Sequence, residues 1–212
     1  MKVFESKEEY MQERSYILEL LDNDLPLVVK MLRLKNSLSD IKLNYQRERE
    51  LLSTLLTKLG GEIYFPRKGD NSERFDALIT FDKYKAVVEI EIPSTEILDA
   101  PRNLLDDYAV LMSRGNIGEL EVVPLVICWD LPNKRTDYWN VISDIDSVLN
   151  IKIKTVSVLC LALYYWTDTF INFASDDFFL RYNNLTILQA ERILKEHNLS
   201  PKMFPGCFSP FK

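Results

Sequence analysis

Histidine is nearly absent from this chain of 212 residues: His197 is the only one. It falls near the end of a predicted helix, where a role at the C-terminal dipole suits it, so Ser–His and Cys–His nucleophile systems are excluded. Cysteine is scarce and scattered. Cys128, Cys160 and Cys207 form no CxxC and no His/Cys cluster, which argues against a disulfide framework and a structural zinc site. With 6 Gly and 9 Pro the composition is neither linker-like nor collagen-like. There is no Walker loop, GxGxxG or HExxH, so nucleotide-binding and zinc-protease readings lack support. The longest apolar stretch, Val156 to Trp166, runs 11 residues and is broken by Ser157, far short of the roughly 20 residues of a membrane span. It reads as a buried strand. The opening MKVFESKEEYMQER lacks the apolar run of a secretory signal, so the expected setting is intracellular, with no membrane partner.

Charge of one sign is also short. The formal net charge is −6, which argues against a protein that coats nucleic acid through bulk charge. The distribution is uneven, however: from Lys30 to Lys85 there are 12 Lys/Arg against 8 Asp/Glu, a balance of +4 that leaves −10 for the remainder.

What is present is a pattern of helices and strands. The length suits one domain. Ser6 with Glu9 forms a capping box ahead of a stripe reaching Leu21, and Asp24 with Pro26 restarts a short helix through LVVKMLRL. Ser39 or Asp40 is expected to cap a third helix, which carries apolar residues at 41, 45, 52, 55, 56 and 59 and stops at Gly60-Gly61. The period then changes from 3.6 to 2. EIYF (62–65), FDALITF (75–81) and KAVVEIEI (85–92) read as strands, the last two joined as a hairpin through Asp82-Lys83-Tyr84. A helix over 97–112, a strand over 121–129, a helix over 136–149, a long strand over 151–165 and a helix over 186–197 follow. This order predicts an α/β domain, a mixed β-sheet flanked by helices. Within one domain, 1–40 reads as a helical N-terminal extension, 41–165 as the core and 166–212 as a C-terminal extension.

Carboxylates stand where the pattern calls for apolar groups. Asp76 lies among Phe75, Leu78, Ile79 and Phe81, and an isolated acid there costs desolvation unless something charged binds it. Glu89 and Glu91 are two apart, so both project from one strand face while Val88, Ile90 and Ile92 take the other. The hairpin brings Asp76 beside that pair. Glu48 shares the helical stripe of Leu52, Leu55 and Leu59 and is a fourth inward carboxylate, whereas Glu50 aligns with Thr54 and Thr57. A hard divalent cation with oxygen ligands, Mg²⁺ or Mn²⁺, is the simplest compensation for such mutual repulsion. The bland alternative is a solvated face of an amphipathic strand.

The segment RERELLSTLLTKLGGEIYF, RFDALITF and AVVEIEIPS, a helix bearing a glutamate, a Gly turn, an acid and, after a hairpin, an acidic triplet, resembles the PD-(D/E)XK nuclease superfamily. Within it the likeness is to archaeal Holliday junction resolvases, and the chain length with its degenerate motif also resembles nuclease-like proteins of archaeal spindle-shaped viruses. The resemblance covers about 50 residues. It implies a restriction-endonuclease-like fold, with Asp76 and Glu89 as metal ligands, the Ile90 carbonyl completing the protein shell, and Glu48 an outer ligand through water. Most of the family has lysine at the position of Glu91. Glu91 is then a general base or part of a second metal shell, or the site has lost activity. The implied reaction is hydrolysis of a DNA phosphodiester by water, the cation offsetting charge on phosphate and leaving oxygen. Arg67, Lys68, Arg74 and Arg102 are candidates to hold the DNA backbone.

The resulting expectation is a metal-dependent endonuclease for branched DNA in recombination, replication or repair, in the host cytoplasm if the source is viral. A non-catalytic DNA-binding or assembly module on the same fold is the alternative, and a sequence-specific restriction enzyme comes third. Resolving a symmetric junction needs two sites, hence an expected homodimer. Phe170, Ile171, Phe173, Phe178, Phe179 and Leu180 offer material for its interface, or else cover their own sheet.

Overall fold

The computed structural model describes residues 17, 19, 21, 24–40, 45–66, 74–92, 96–114, 118, 120–181 and 183–211. The expected helix at the start of the chain therefore lies almost wholly outside the described residues. Helix α1, Leu27–Asp40, follows Pro26, whose carbonyl accepts from the amides of Val29 and Lys30; proline's fixed φ suits a helix start. It runs through Ser39 and Asp40, the residues expected to open the next helix, and the stretch from there to Tyr45 lies outside the described residues. That helix, α2, spans Tyr45–Lys58 and buries Leu51, Leu52, Leu55 and Leu56. It ends as the glycines predict: Gly60 takes φ +87°, and a Cβ on Gly61 would stand 2.7 Å from Ile79 Cγ2.

The sheet has five strands in sequence order, β1 (Glu62–Tyr64), β2 (Ala77–Thr80), β3 (Tyr84–Glu91), β4 (Glu121–Cys128) and β5 (Lys154–Ser157). The first three pair antiparallel, with Ala77 opposite Val88 and Thr80 opposite Lys85 across the hairpin. The β3–β4 and β4–β5 pairs are parallel. Parallel neighbours need crossovers, and α3 (Ala100–Arg114) and α4 (Tyr138–Leu149) supply them. This is a mixed sheet flanked by helices, as the period changes predict. Pro124 lies inside β4, but β5 reaches back only to the level of Leu125, so Pro124 has a strand neighbour on one side only, where proline is tolerated.

The run expected as one long strand is divided. After β5 the chain becomes helix α5, Val158–Trp166. Ser157 makes the change: its backbone is extended, and its hydroxyl accepts from the Cys160 amide at 3.1 Å, the N-cap contact that starts a helix. Val158 to Tyr164 are all buried, so the segment has neither period 2 nor 3.6 to betray it.

The segment after α5 is part of the core rather than an appendage. Ile171, Phe173, Phe178, Phe179 and Leu180 are buried within the chain, leaving Phe170 alone of that group exposed, at 78%. The segment covers its own sheet, which removes the interface material expected for a homodimer. Helix α6, Leu188–Glu196, follows, with His197 at its C-cap. Phe204, Cys207 and Phe208 are buried, and Leu131 donates to the Gly206 carbonyl at 2.7 Å. All three cysteines are buried and free. No helix of the described residues is long and apolar enough to cross a membrane.

Candidate active site

Asp76 precedes β2 by one residue, and continuing the register past Ala77–Val88 sets it opposite Glu89. Two backbone contacts hold it there. Its amide donates to the Val88 carbonyl at 3.2 Å, and its Oδ2 accepts from the Ile90 amide at 2.8 Å. The side chain thus takes over from the ladder where β2 ends. Glu89 reaches helix α3, where Asn103 Nδ2 donates to its Oε1 at 3.2 Å. Glu91, buried, accepts from the Glu96 amide at 3.2 Å. Glu48, in the first turn of α2, is buried as its stripe predicts.

These groups share one field. Burial is the largest cause of each shift, because charge is poorly solvated there. It pushes Glu48 up to about 7, with the Asp76 charge adding to it. Glu89 also rises to about 7, through burial and then Asp76, against the opposing Asn103 bond. Asp76 itself is raised by burial, with the Ile90 amide and the Arg49 guanidinium drawing it back. Burial raises Glu91, the Glu96 amide opposes, and Glu96, Asp76 and Asp99 add to the rise.

Asp107 is the member that the strand motif does not reveal. It lies on α3 one turn beyond Asn103, is 7% exposed, and rises to about 6 through burial, opposed by Arg74 and reinforced by Asp106 and Asp76. Its signal was present: Leu104 and Leu111 flank it at −3 and +4 on the helix, the same stripe argument that singles out Glu48. Arg49 is a second omission. Its guanidinium stacks over Phe65 at 4.7 Å from the ring centre, and its charge acts on Asp76.

Of the basic candidates, Arg67 and Lys68 lie outside the described residues. Arg74 pairs with Asp106 at 2.9 Å, and Arg102 stands 3.7 Å from both Asp99 and Asp137. Both cations are exposed but already partnered by acids. Among the described residues no group of three His, Cys, Asp or Glu side chains is arranged to hold a metal ion. Three of the carboxylates instead have N–H donors, from Ile90, Asn103 and Glu96.

No protein-family model matches the chain, and no curated protein does. Among solved structures it is similar to restriction endonuclease FokI at 13% identity and a TM-score of 0.46, over 83% of this chain and 34% of FokI. FokI bound to DNA gives 12% and 0.40, over 78% and 30%. The small subunit R.BspD6I2 of the heterodimeric restriction endonuclease R.BspD6I gives 16% and 0.46, over 80% of this chain and 98% of that one. The chain thus spans about a third of the length of FokI and nearly all of that subunit.

Proposed function

We propose that this chain is a metal-dependent endodeoxyribonuclease whose site is the Asp76–Glu89 pair. The observation that carries the reading is the pairing itself: two half-buried acids set face to face across a hairpin, each held by one N–H and each with a second oxygen that makes no hydrogen bond among the described residues. Mg²⁺ is commonly held by one or two carboxylates together with waters, so this donor set fits it or Mn²⁺. The Ile90 carbonyl joins them, since N–H and C=O of one strand residue point to the same side and the Ile90 amide faces Asp76. Glu48, buried beside Asp76, acts through water. A bound cation would offset charge on the scissile phosphate and on the leaving oxygen.

Glu91 takes the proton from the attacking water. Its carboxylate is oriented by the Glu96 amide and raised by burial, which suits a base working near neutral pH. Arg67, Lys68, Arg74 and Arg102 serve the DNA backbone, the last two by exchanging their acidic partners for phosphate. The sequence resemblance favours branched DNA, and cutting a symmetric junction then requires two chains in a C₂ pair, joined elsewhere than through the buried 171–180 segment.

The test is incubation of the full chain with labelled four-way junction, duplex and single strand in Mg²⁺, Mn²⁺ or EDTA. Cleavage that EDTA abolishes and that Asp76→Asn removes is the expected result. Junction binding without cleavage in any metal makes the chain a non-catalytic DNA-binding module instead.

A further inference from the structure

At the carboxyl end of the sheet, residues 129–137 form a loop that joins β4 to α4 and is fastened beside the proposed site at both ends. Glu91 and Cys128 are register partners, and the Trp129 amide donates to the Glu91 carbonyl at 3.1 Å. At the other end Asp137 stands 3.7 Å from Arg102, the residue before Asn103, which holds Glu89. Between these anchors the amides of Leu131 and Lys134 donate to the carbonyls of Gly206 and Phe211, and Leu131 and Pro132 are buried. Asn133 shapes the tip: its Oδ1 accepts from the Arg135 amide at 3.0 Å, and its carbonyl accepts from the Trp139 indole at 3.1 Å. The tip itself, residues 133–135, is exposed. Arg135 differs from the other cations near the site. Arg74 is taken by Asp106, and Arg102 lies between Asp99 and Asp137, whereas the Arg135 guanidinium has neither a hydrogen bond nor an ion pair among the described residues.

We propose that Arg135 contacts a backbone phosphate of the DNA substrate, so that the 129–137 loop seats the strand beside the Asp76–Glu89 pair. A guanidinium presents a rigid fork of donors that matches phosphate oxygens. The backbone that carries it is ordered before any partner arrives, so little entropy is lost on binding. Arg74 and Arg102 must each give up an acid to meet a phosphate, and Arg135 needs no such exchange. Contacts of this kind position a duplex and carry no sequence information, so Arg135 acts alike on duplex and four-way junction. The inference rests on the nuclease reading, and the experiment separates the two.

Binding of fluorescein-labelled duplex and four-way junction is measured by anisotropy in EDTA, across a salt series, for the full chain and for Arg135→Gln, Arg135→Lys and Lys83→Gln. Lys83 is the control, an exposed cation in the β2–β3 link at the opposite end of β3. Arg135→Gln should melt with the parent, because the side chain it replaces makes no polar contact within the fold. It should bind both DNAs about fivefold to tenfold more weakly at about 0.1 M salt, and the slope of log K against log salt should fall by about 0.9, the share of one phosphate. Arg135→Lys, which keeps the charge, should keep the slope and recover part of the affinity, and Lys83→Gln should bind as the parent does. Affinity and slope unchanged in Arg135→Gln, or lowered as much in Lys83→Gln, overturn this inference and leave the nuclease reading standing. Absence of DNA binding by the parent overturns this inference, and absence of cleavage as well overturns both.

Discussion

The Ile90 amide donates to the Asp76 carboxylate at 2.8 Å, and this contact ties the acid that precedes β2 to the strand that carries Glu89 and Glu91. Ladder pairing between β2 and β3 stops at Ala77–Val88. The Ile90 N–H, two residues further along β3, would otherwise lack a partner inside the fold, which is costly for a backbone group shielded from water. The contact also holds an anion within reach of Glu48 and Glu89, both raised first by burial and further by its charge.

Asp76→Asn should therefore lower two other titrations. The amide oxygen can still accept from Ile90, so the local backbone stays; burial continues to raise Glu48 and Glu89, while the charge that adds to that rise disappears. In ¹³C-carboxyl NMR of the metal-free variant both midpoints should move from about 7 towards the ordinary 4.5. Midpoints that do not move would separate Asp76 from the cluster.

Stability of the metal-free protein should depend on pH in a defined direction. Glu48 and Glu89 are raised from 4.5 to about 7, and Asp107 from 3.8 to about 6. A folded state that raises an acid's pKa favours its neutral form, so this stabilisation is complete below about pH 4 and is lost as pH rises through 6 to 7. Melting temperature in EDTA should fall between pH 5 and pH 8. Mn²⁺, which competes with protons for the same oxygens, should restore more of it at pH 8 than at pH 5. A flat profile in EDTA would contradict the buried-cluster reading.

Glu91 is open to two substitutions with different expectations. Glu91→Gln retains an acceptor for the Glu96 amide and removes the base, so cleavage should drop by about 10² or more with melting unchanged. Glu91→Lys places a cation among Asp76, Glu96 and Asp99, the acids that act on this position. It should melt higher at pH 8 than the parent and cleave at least as fast as the glutamine variant. Full activity in Glu91→Gln would remove Glu91 from the reaction.

Ser157→Ala should destabilise the fold without touching the site. The hydroxyl caps α5 through the Cys160 amide and also donates to the Cys207 carbonyl. Losing both contacts in a buried setting should cost about 1–3 kcal/mol, read as a lower midpoint in urea with Mn²⁺ affinity unchanged. An unaltered midpoint would mean that the change from strand to helix does not depend on this cap.

Sequence alone determined those parts of the protein in which neighbours along the chain set the structure. Gly60 and Gly61 end α2, the short Asp82-Lys83-Tyr84 link closes a hairpin, and the spacing of Glu89 and Glu91 puts them on one strand face, because turn chemistry and side-chain period are local properties. The burial of Glu48 was legible for the same reason, and Asp107 was equally open to the stripe argument. Tertiary structure decided the rest. In the run from Val156 to Tyr164, every residue is buried by other elements, so no periodicity records whether it is strand or helix, and only the Ser157 contact resolves it. The aromatic residues from Ile171 to Leu180 are as apolar in a core as in an interface, and their burial against their own sheet follows from packing with residues far away in sequence. The pairing of Asp76 with Glu89, and the arrival of Asn103 beside Glu89, depend on strand register and on where the crossover helix lands. These are distances between segments, which the linear order of residues does not contain.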